Sequence, residues 1–245
     1  TILTARTQHE LKIGESIKME FGVRYDWQQT EDFLNEYSFS DSADYVTVGP
    51  YTESAQEVKS PKTSVYWQQT HFIDSTKTLT YGVRALYWEL SNQFLVSPRV
   101  QFSIRPRWKK DFVWRFAAGI YQQPPFYREM RDFEGKVNRD LLPQSSLHLV
   151  AGFDYALQIW GRPFKILAEA YHKELWNVVP YDADNVRLRY YANNDATASV
   201  QGFDVRLSGE FIPNAESWFN ISLLSAKEDV TNDDRGKIRR PTDQL

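Results

Sequence analysis

The sequence of 245 residues contains no cysteine, which excludes disulfides, thiol catalysis and cysteine-ligated metal sites. It also contains no apolar run near the roughly 18 residues that a membrane-spanning helix needs. With a mean hydropathy of -0.56, it is not a helical membrane protein. A strand crosses a bilayer with about 10 residues, of which only every second one is apolar. These absences therefore leave a membrane-spanning sheet open.

Catalytic motifs are absent as well. The sequence has no nucleophile elbow, no phosphate-binding glycine loop and no helical histidine pair. Its four histidines, His9, His71, His148 and His172, lack metal-ligand spacing. The net charge is -3 and basic residues are spread along the chain, which argues against nucleic acid as a partner. We therefore predict a protein that is not an enzyme, with no catalytic residues and no cofactor.

Two acidic runs are the candidates for a metal site. Asp182-Ala183-Asp184-Asn185 and Asn232-Asp233-Asp234 carry oxygen ligands of the kind that calcium prefers. Because acidic loop runs are usually just solvated, we predict no metal site.

The positive signal is a two-residue period in long segments, in a chain of which 15% is aromatic. Between Ile17 and Trp27 every odd residue is apolar or aromatic, and the even ones are Lys18, Glu20, Gly22, Arg24 and Asp26. Similar alternation runs through residues 79–88, 96–105, 112–121, 147–159, 164–173, 203–211 and 219–225, and more weakly through 5–13 and 64–73. The pattern predicts about ten antiparallel strands. Pro98 lies inside one of them, and we expect a rim or a bulge there because proline cannot donate a hydrogen bond.

A soluble antiparallel sheet with one hydrated face would also alternate. Three features favour a transmembrane β-barrel instead. The segments exceed the roughly 5–6 residues of soluble strands, charges occupy the polar face in mid-strand, and aromatic residues bound the apolar face. The predicted fold class is therefore an all-β, antiparallel transmembrane barrel.

The connections alternate in length, as they do in outer-membrane barrels. Short ones fall at residues 14–15, 74–77, 106–111, 161–163 and 213–217, and long polar ones at 29–63, 123–146, 177–198 and from 229 onward, with a short exception at 91–93. Ten strands alone would leave two unpaired edges in lipid, and the charged polar face favours a wide barrel. We therefore expect residues 1–245 to be one partial barrel domain, with the signal peptide and the terminal strands outside this sequence.

Because successive residues of a strand point to opposite faces, odd and even positions assign side chains to the two faces of the sheet. The predicted lipid-facing set is Phe112, Trp114, Phe116, Phe203, Val205 and Leu207. The predicted lumen-facing set is Arg84, Arg115, Glu169, Asp204, Arg206 and Glu210. Because a charge in hydrocarbon is costly, the second set should pair within itself, with water or with a plug domain.

Aromatic residues and arginines in two long connections predict a recognition surface, since such side chains are the usual anchors of interfaces. The predicted ligand-binding residues are Phe126, Tyr127, Arg128, Tyr181, Tyr190 and Tyr191. The alternative is that the same side chains pack the long loops on one another.

Several runs resemble the barrel of TonB-dependent outer-membrane receptors, above all the branch with an N-terminal carboxypeptidase-regulatory-like domain. They are EAYHKELWNVVPYD at 169–182, DNVR at 184–187, VSPR at 96–99, QPPFYR at 123–128 and the segment 202–218. The resemblance implies a roughly 22-stranded barrel in the outer membrane of a Gram-negative bacterium. It also implies an N-terminal plug, which is absent from this sequence, and coupling to the TonB complex. The implied partners are outer-membrane lipid, the protein's own plug and remaining strands, the TonB energy-coupling complex and, as a further candidate, a surface lipoprotein.

The function that follows is import of a specific ligand across the outer membrane by a TonB-dependent receptor. One alternative is a barrel subunit of an outer-membrane secretion or surface complex. Another is a soluble β-rich binding protein or glycosidase. Siderophore, glycan, peptide and cobalamin all remain open as ligands.

Overall fold

The computed structural model describes residues 1–42, 45–184, 187–231 and 240–241, and β-strands dominate it. In chain order the strands are β1 (Ile2–Ile13), β2 (Ile17–Ser42), β3 (Tyr45–Lys59), β4 (Lys62–Asp74), β5 (Lys77–Trp88), β6 (Gln93–Ile104), β7 (Asp111–Gln123), β8 (Gln144–Ile159), β9 (Arg162–Val178), β10 (Tyr181–Asp184), β11 (Arg187–Tyr190), β12 (Ala196–Ile212), β13 (Ala215–Val230) and β14 (Arg240–Pro241). The helical elements are a 3₁₀ turn at Glu89–Ser91 and a single α-helical turn, α1, at Tyr127–Met130. Within these described ranges, no helix has the length and apolar character needed to cross a membrane.

One antiparallel sheet contains most of the strands, in the order β1-β2-β4-β5-β6-β7-β8-β9-β12-β13-β14. Strand β3 pairs with β2 outside this order, and β10 and β11 form a separate hairpin. Apart from the two-residue β14, the path contains ten long strands, which confirms the predicted antiparallel sheet of about ten. The two weakly alternating segments also proved to be strands, since they lie in β1 and β4.

The register carries the alternation from strand to strand, because residues directly opposite one another share a face. Asp204 pairs with Glu169, Glu169 with Gly152, and Gly152 with Arg115. The neighbouring row runs Val205, Ala168, Phe153, Trp114 and Ile104. The sheet therefore has one polar face, which holds the first row, and one apolar face, which holds the second.

The long connection predicted at 29–63 was wrong in its secondary structure. Residues 17–26 of β2 pair with β4, whereas residues 29–42 continue beyond that sheet edge and pair with β3 from Ser42↔Tyr45 to Gln29↔Lys59. One face of this hairpin packs on the 124–143 connection, where Asp32 accepts from Tyr127 and Arg131 and Ser54 Oγ donates to the carbonyl of Gly135. That half-buried face carries Asp32 and Glu36 beside Leu34, so it lacks the apolar row that marks a half-buried strand in a sequence.

Pro98 lies neither at a rim nor at a bulge of the β5–β6 pair, contrary to expectation. It pairs with Val83 in the middle of β6, in an uninterrupted register with β5. On the other side, β6 pairs with β7 only from Arg99 to Ile104. Beyond that stretch, the backbone N–H of Val96 donates to the side-chain oxygen of Gln122 across 2.8 Å and not to a backbone carbonyl of β7. Proline therefore sits where pairing with β7 ends, so no ladder hydrogen bond is lost.

The short connections lie at one end of the sheet and the long ones at the other, except that the short β5–β6 connection at residues 89–92 lies at the long-connection end. At the long-connection end the loops fold onto the polar face and bury a small apolar cluster of Trp88, Met130, Leu141 and Val179, each at most 3% exposed. Trp88 shares its face with Lys62 and Asp26 through the strand register. Its indole N–H donates to Ser60 Oγ across 2.8 Å, so the buried ring has its polar atom satisfied. This cluster, the outer core, fixes the long loops to the sheet.

Candidate functional site

Three segments at the long-connection end enclose a cleft. They are the β2–β3 hairpin, the connection at residues 124–143 with α1, and the β10–β11 hairpin. This outer cleft has a volume of about 440 Å³. Its lining is Leu34, Glu36, Arg128, Arg131, Asp132, Phe133, Leu188, Arg189 and Tyr190.

Asp32 ties the 124–143 connection to the β2–β3 hairpin. The hydroxyl of Tyr127 donates to Asp32 Oδ2 across 2.9 Å, and Arg131 Nη1 donates to the same oxygen. Burial and the hydrogen bond to the Asp32 carboxylate raise the pKa of Tyr127 to about 12. The phenol therefore stays protonated, and able to donate to Asp32, up to a higher pH than an ordinary tyrosine.

A second link closes the cleft from the other side. Arg189 Nη2 lies 3.2 Å from Glu36 Oε2, joining the β10–β11 hairpin to the β2–β3 hairpin. Arg128 differs from these arginines, because its exposed guanidinium has no ion pair or side-chain hydrogen bond to any described residue. Arg128 is thus a cation of the cleft that no carboxylate of the cleft pairs with among the described residues.

Aromatic rings border the same cleft, where Phe133 and Tyr190 are part of the lining. The rings of Tyr181 and Tyr190 meet edge to face with centroids 5.5 Å apart, and those of Phe133 and Tyr191 do so at 5.0 Å. Tyr191 also donates its hydroxyl to Asp182 Oδ2 across 2.6 Å, which raises the pKa of the phenol. The rings are therefore held in fixed positions beside the cleft.

The six predicted ligand-binding residues fall into three groups: some line the cleft, some contact other loop residues and some are exposed. Arg128 and Tyr190 line the outer cleft, and the ring of Tyr190 also packs against the outer core. Tyr127 and Tyr181 contact other loop residues, whereas Phe126 and Tyr191 are 63% and 42% exposed. Some of these side chains thus pack the loops on one another, while Arg128 and Tyr190 remain at an open cleft.

A second cavity, of about 740 Å³, lies on the polar face beneath the 124–143 connection. Arg84, Arg99 and His148 from the strands line it, together with Glu129 from the loop above. Glu129 accepts the backbone N–H of Phe126 across 2.7 Å and the side-chain amide of Gln144 across 2.8 Å. Burial raises the pKa of this carboxyl above its ordinary value.

Of the polar-face residues predicted from parity, Arg115 belongs to a local ion network. Arg115 pairs with Asp154, and Lys165 Nζ lies 2.8 Å from the same carboxylate. Arg115 and Glu169 line one further cavity of about 390 Å³, and Asp204 pairs in register with Glu169. Arg84 Nη2 donates to Ser64 Oγ across 3.2 Å.

The remaining two members of that set have different surroundings. The guanidinium of Arg206 lies 5.7 Å from the ring centroid of Trp218, at cation–π distance. Glu210 lies where the β12–β13 register shifts between Gly209 and Ile212, so strand pairing does not assign it to a face.

The predicted lipid-facing residues all belong to the apolar face. Phe112, Trp114 and Phe116 follow one another along β7, and Phe203, Val205 and Leu207 pair with Leu223, Ile221 and Phe219 of β13. Phe116 and Phe203 are each 44% exposed, and Leu223 is 65% exposed. This chain leaves them uncovered by protein.

Four residues that organise the cleft were not among the predicted ligand-binding residues: Asp32, Glu36, Arg131 and Arg189. Their partners are 95 to 153 positions apart. No local pattern links residues at that distance, because the loops that carry them meet only once the sheet has formed.

The two acidic runs considered for calcium are largely outside the described structure, since Asn185 and Asn232-Asp233-Asp234 are not described. Among the side chains that are described, no group of three or more His, Cys, Asp or Glu could hold a metal ion.

No family model and no curated protein matches the sequence, but solved structures match the fold. The copper transporter OprC superposes with a TM-score of 0.66 at 16% identity, covering 92% of this chain and 37% of that one. A mutant of the ferric enterobactin receptor PfeA from Pseudomonas aeruginosa gives 0.65 at 12% identity, covering 95% and 39%. The ferric-catecholate import receptor Fiu from Escherichia coli K12 gives 0.64 at 14% identity, covering 95% and 38%.

This chain therefore spans less than two fifths of each of those proteins. These three solved structures are of transporters and receptors, not enzymes. At such low identities the likeness concerns the fold and does not identify a ligand. On that evidence, the chain has the fold of a section of the β-barrel of TonB-dependent outer-membrane receptors.

Proposed function

We propose that this chain is part of a TonB-dependent transporter in the outer membrane of a Gram-negative bacterium, which imports a specific ligand. The observation that carries the proposal is the division of the sheet. One face is polar across ten long strands, the other is apolar, and the long loops fold over the polar face at one end only.

Exposure of the apolar face supports a membrane location. Leu223 is 65% exposed, and Phe219 and Ile221 on the same row are 59% and 49% exposed. Soluble proteins rarely expose contiguous apolar patches larger than a few hundred Å². Lipid is the solvent that covers such a face without cost, whereas water would favour aggregation.

The polar face supports the partners that the resemblance implies. Its charges are of both signs, as at Arg115, Asp154 and Lys165, and cavities remain between them. A folded plug domain with complementary polar groups would fill that side, and further strands would close the barrel edge. Coupling to the TonB complex then supplies the energy for moving the plug.

The outer cleft is the proposed site of ligand entry. A guanidinium without a partner carboxylate, beside fixed tyrosine rings, favours a ligand that combines negative charge with flat apolar surface. Ferric catecholates have this chemistry, and two of the structures described above are named for ferric enterobactin and ferric-catecholate uptake. Copper is the second probe, because OprC is named as a copper transporter.

The test is uptake by cells that express the full-length protein in a host lacking its own receptors, with and without a functional TonB. We expect TonB-dependent accumulation of iron supplied as ferric enterobactin. Replacement of Arg128 by alanine should weaken binding by about tenfold or more, because the variant loses a charge-assisted contact. Lys136→Ala is the matched control, since it removes a charge from the same loop at a side chain that is 76% exposed and paired with Glu134.

Equal uptake with and without TonB would overturn the proposal. So would a failure to import ferric enterobactin, copper, cobalamin, glycan and peptide alike, combined with purification in a stable complex with secretion or surface proteins. That outcome would favour a barrel subunit of a secretion or surface complex. A surface lipoprotein that copurifies while uptake persists would instead be an accessory of the transporter.

A further inference from the structure

The connection between β6 and β7 differs from every other short connection of the sheet in its charge. Residues 105–110 read RPRWKK, with four basic residues and no acidic one. Arg105 has an ion-pair partner, Asp111, at 3.6 Å. Arg107 and Lys109 are exposed and have no ion pair or hydrogen bond from their side chains to any residue in the described ranges. The turn therefore holds a local positive charge that the protein does not neutralise.

This basic turn adjoins the largest aromatic cluster of the apolar face. The ring of Trp108, which is 60% exposed, lies 5.9 Å from that of Phe112. Phe112 in turn lies 4.8 Å from Phe153 and 5.4 Å from Tyr155. The ammonium of Lys110 is 5.8 Å from the centroid of Tyr155. Lys110 of the turn thus lies close to an aromatic ring at the edge of the apolar face.

The other short connections show that this arrangement is not a general property of the sheet end. The β1–β2 turn carries Glu15, and in the β4–β5 turn Lys77 lies 3.8 Å from Asp74. In the β8–β9 turn the guanidinium of Arg162 donates to the backbone carbonyl of Phe211 across 2.9 Å. The β12–β13 turn has no basic residue between Pro213 and Glu216. Unneutralised cations beside aromatic rings are therefore confined to the β6–β7 turn among these connections.

We propose that the β6–β7 turn is a binding site for the phosphate headgroup of an anionic phospholipid. Arg107, Lys109 and Lys110 hold the headgroup, and the rings of Trp108, Phe112 and Tyr155 contact the glycerol and the first part of the acyl chains. The site rests on the proposed function, which places the apolar face in the outer membrane and the short connections on the periplasmic side. The ligand is then a lipid of the inner leaflet.

Charge and position together select this occupant. Basic side chains at a membrane boundary recognise anionic headgroups, and tryptophan and tyrosine rings prefer the same interfacial depth. An acidic protein surface would match the cations, but it would not cover the rings that continue from the turn down the apolar face. A lipid satisfies both parts of the site with one molecule.

The test uses the full-length protein, purified in a neutral detergent and titrated with dansyl-labelled phosphatidylglycerol while energy transfer from tryptophan is measured. Unlabelled phosphatidylglycerol, phosphatidylcholine and inorganic phosphate are the competitors. We expect phosphatidylglycerol to compete, and phosphatidylcholine and inorganic phosphate to fail at the same concentrations. Competition by phosphate as effective as that by the lipid would show an anion site without acyl contacts and would overturn the proposal.

The decisive variant replaces Arg107, Lys109 and Lys110 together with glutamine. Each basic residue near an anionic surface contributes about fivefold in affinity, so the variant should bind phosphatidylglycerol at least about tenfold more weakly. The matched control replaces Lys59, Lys136 and Arg139, three exposed basic residues at the opposite end of the sheet, and should bind as wild type. Equal binding by wild type and the turn variant, with unchanged melting temperatures, would refute the site. Because this assay uses no transported ligand, its outcome is independent of whether uptake occurs.

Discussion

The long strands and the segments around the outer cleft differ in how far apart their partners lie in the sequence. Each long strand pairs with the next one along the sheet path, and across a short turn the partners are close in sequence, as where Ile159 faces Arg162. In the cleft, Tyr127 and Asp32 are 95 positions apart, and Arg189 and Glu36 are 153 apart. The sheet is therefore specified by local alternation and turns. The cleft exists only after the sheet has brought distant loops together.

The two regions also differ in the environment that selects their residues. On the strands each position faces either an apolar or a polar environment, so a single charge on the apolar face should be costly. Around the cleft, hydrogen bonds and ion pairs between half-buried groups hold the loops in place. The following substitutions test that contrast.

The largest effect should come from a charge on the apolar face. Replacing Val205 with Arg places a guanidinium in the row that contains Ala168 and Ile221. We expect a loss of about 2–4 kcal/mol in the free energy of unfolding, because a basic side chain near the bilayer midplane has that cost in barrels of this kind. Denaturant unfolding of the full-length protein in phospholipid vesicles measures it.

The matched control is Ser222→Arg, on the polar face, where the new cation would stand opposite Asp204. We expect little change there. Equal losses for the two variants would show that the faces are not distinguished by lipid, and the comparison would fail.

The next effect concerns the fastening of the cleft. Asp32→Ala removes the acceptor shared by Tyr127 and Arg131 and leaves a half-buried guanidinium without its partner. The local stability of residues 124–143 should fall by about 1–3 kcal/mol, with the strands unaffected. Hydrogen exchange resolved by peptide measures both regions in one experiment.

Glu134→Ala is the control for this variant, because its ion pair with Lys136 lies in the same loop at 73% and 76% exposure. No change in exchange is expected from it. Uniform destabilisation of strands and loop by Asp32→Ala would contradict the view that the cleft is a separate, later-formed layer.

Titration of Tyr127 tests the same contact between the loop and Asp32. The pKa of Tyr127 in the folded protein is raised to about 12, so its hydrogen bond contributes fully below the ordinary tyrosine pKa of about 10. The contribution is then lost as the pH rises through the folded value. Subtracting the tyrosinate absorbance curve of Tyr127→Phe from that of wild type should isolate one phenol that titrates near 12. A difference curve centred at the ordinary pKa would mean that the contact with Asp32 is absent.

The smallest effect is expected at the rim. Tyr191→Phe removes only a hydroxyl that donates to Asp182, on a side chain that is 42% exposed. Stability should change by less than about 0.5 kcal/mol, as for most surface substitutions. A larger loss in thermal unfolding would show that the rim of the cleft is part of the packed structure.

The sheet was predictable because its signal is local. The odd-numbered apolar residues from Ile17 to Trp27 were sufficient to assign the first part of β2 and its faces, and the same rule placed Arg115 and Phe116 on opposite faces of β7. The rule failed where the half-buried face of a strand is polar. In the β2–β3 extension that face carries Asp32 and Glu36 beside Leu34, so the pattern predicted a loop where the chain forms regular strand.

The cleft was only partly predictable. Composition indicated a recognition surface in the loops, and Arg128 and Tyr190 do line the outer cleft. Composition did not distinguish these residues from Tyr127, whose hydroxyl holds the loop to Asp32. That distinction depends on which distant carboxylate each side chain reaches, and no local feature of the sequence encodes the distance.

The most direct test of the central claim is the side of the membrane on which each end of the sheet lies. Because this sequence has no cysteine, single substitutions in it give specific labelling sites. In intact cells expressing the full-length protein, a membrane-impermeant maleimide should label Lys136→Cys in the loop and leave Ser75→Cys in the β4–β5 turn unlabelled until the outer membrane is permeabilised. Labelling of both sites in intact cells, or of Ser75→Cys alone, would contradict a sheet that spans the outer membrane with its long loops outside.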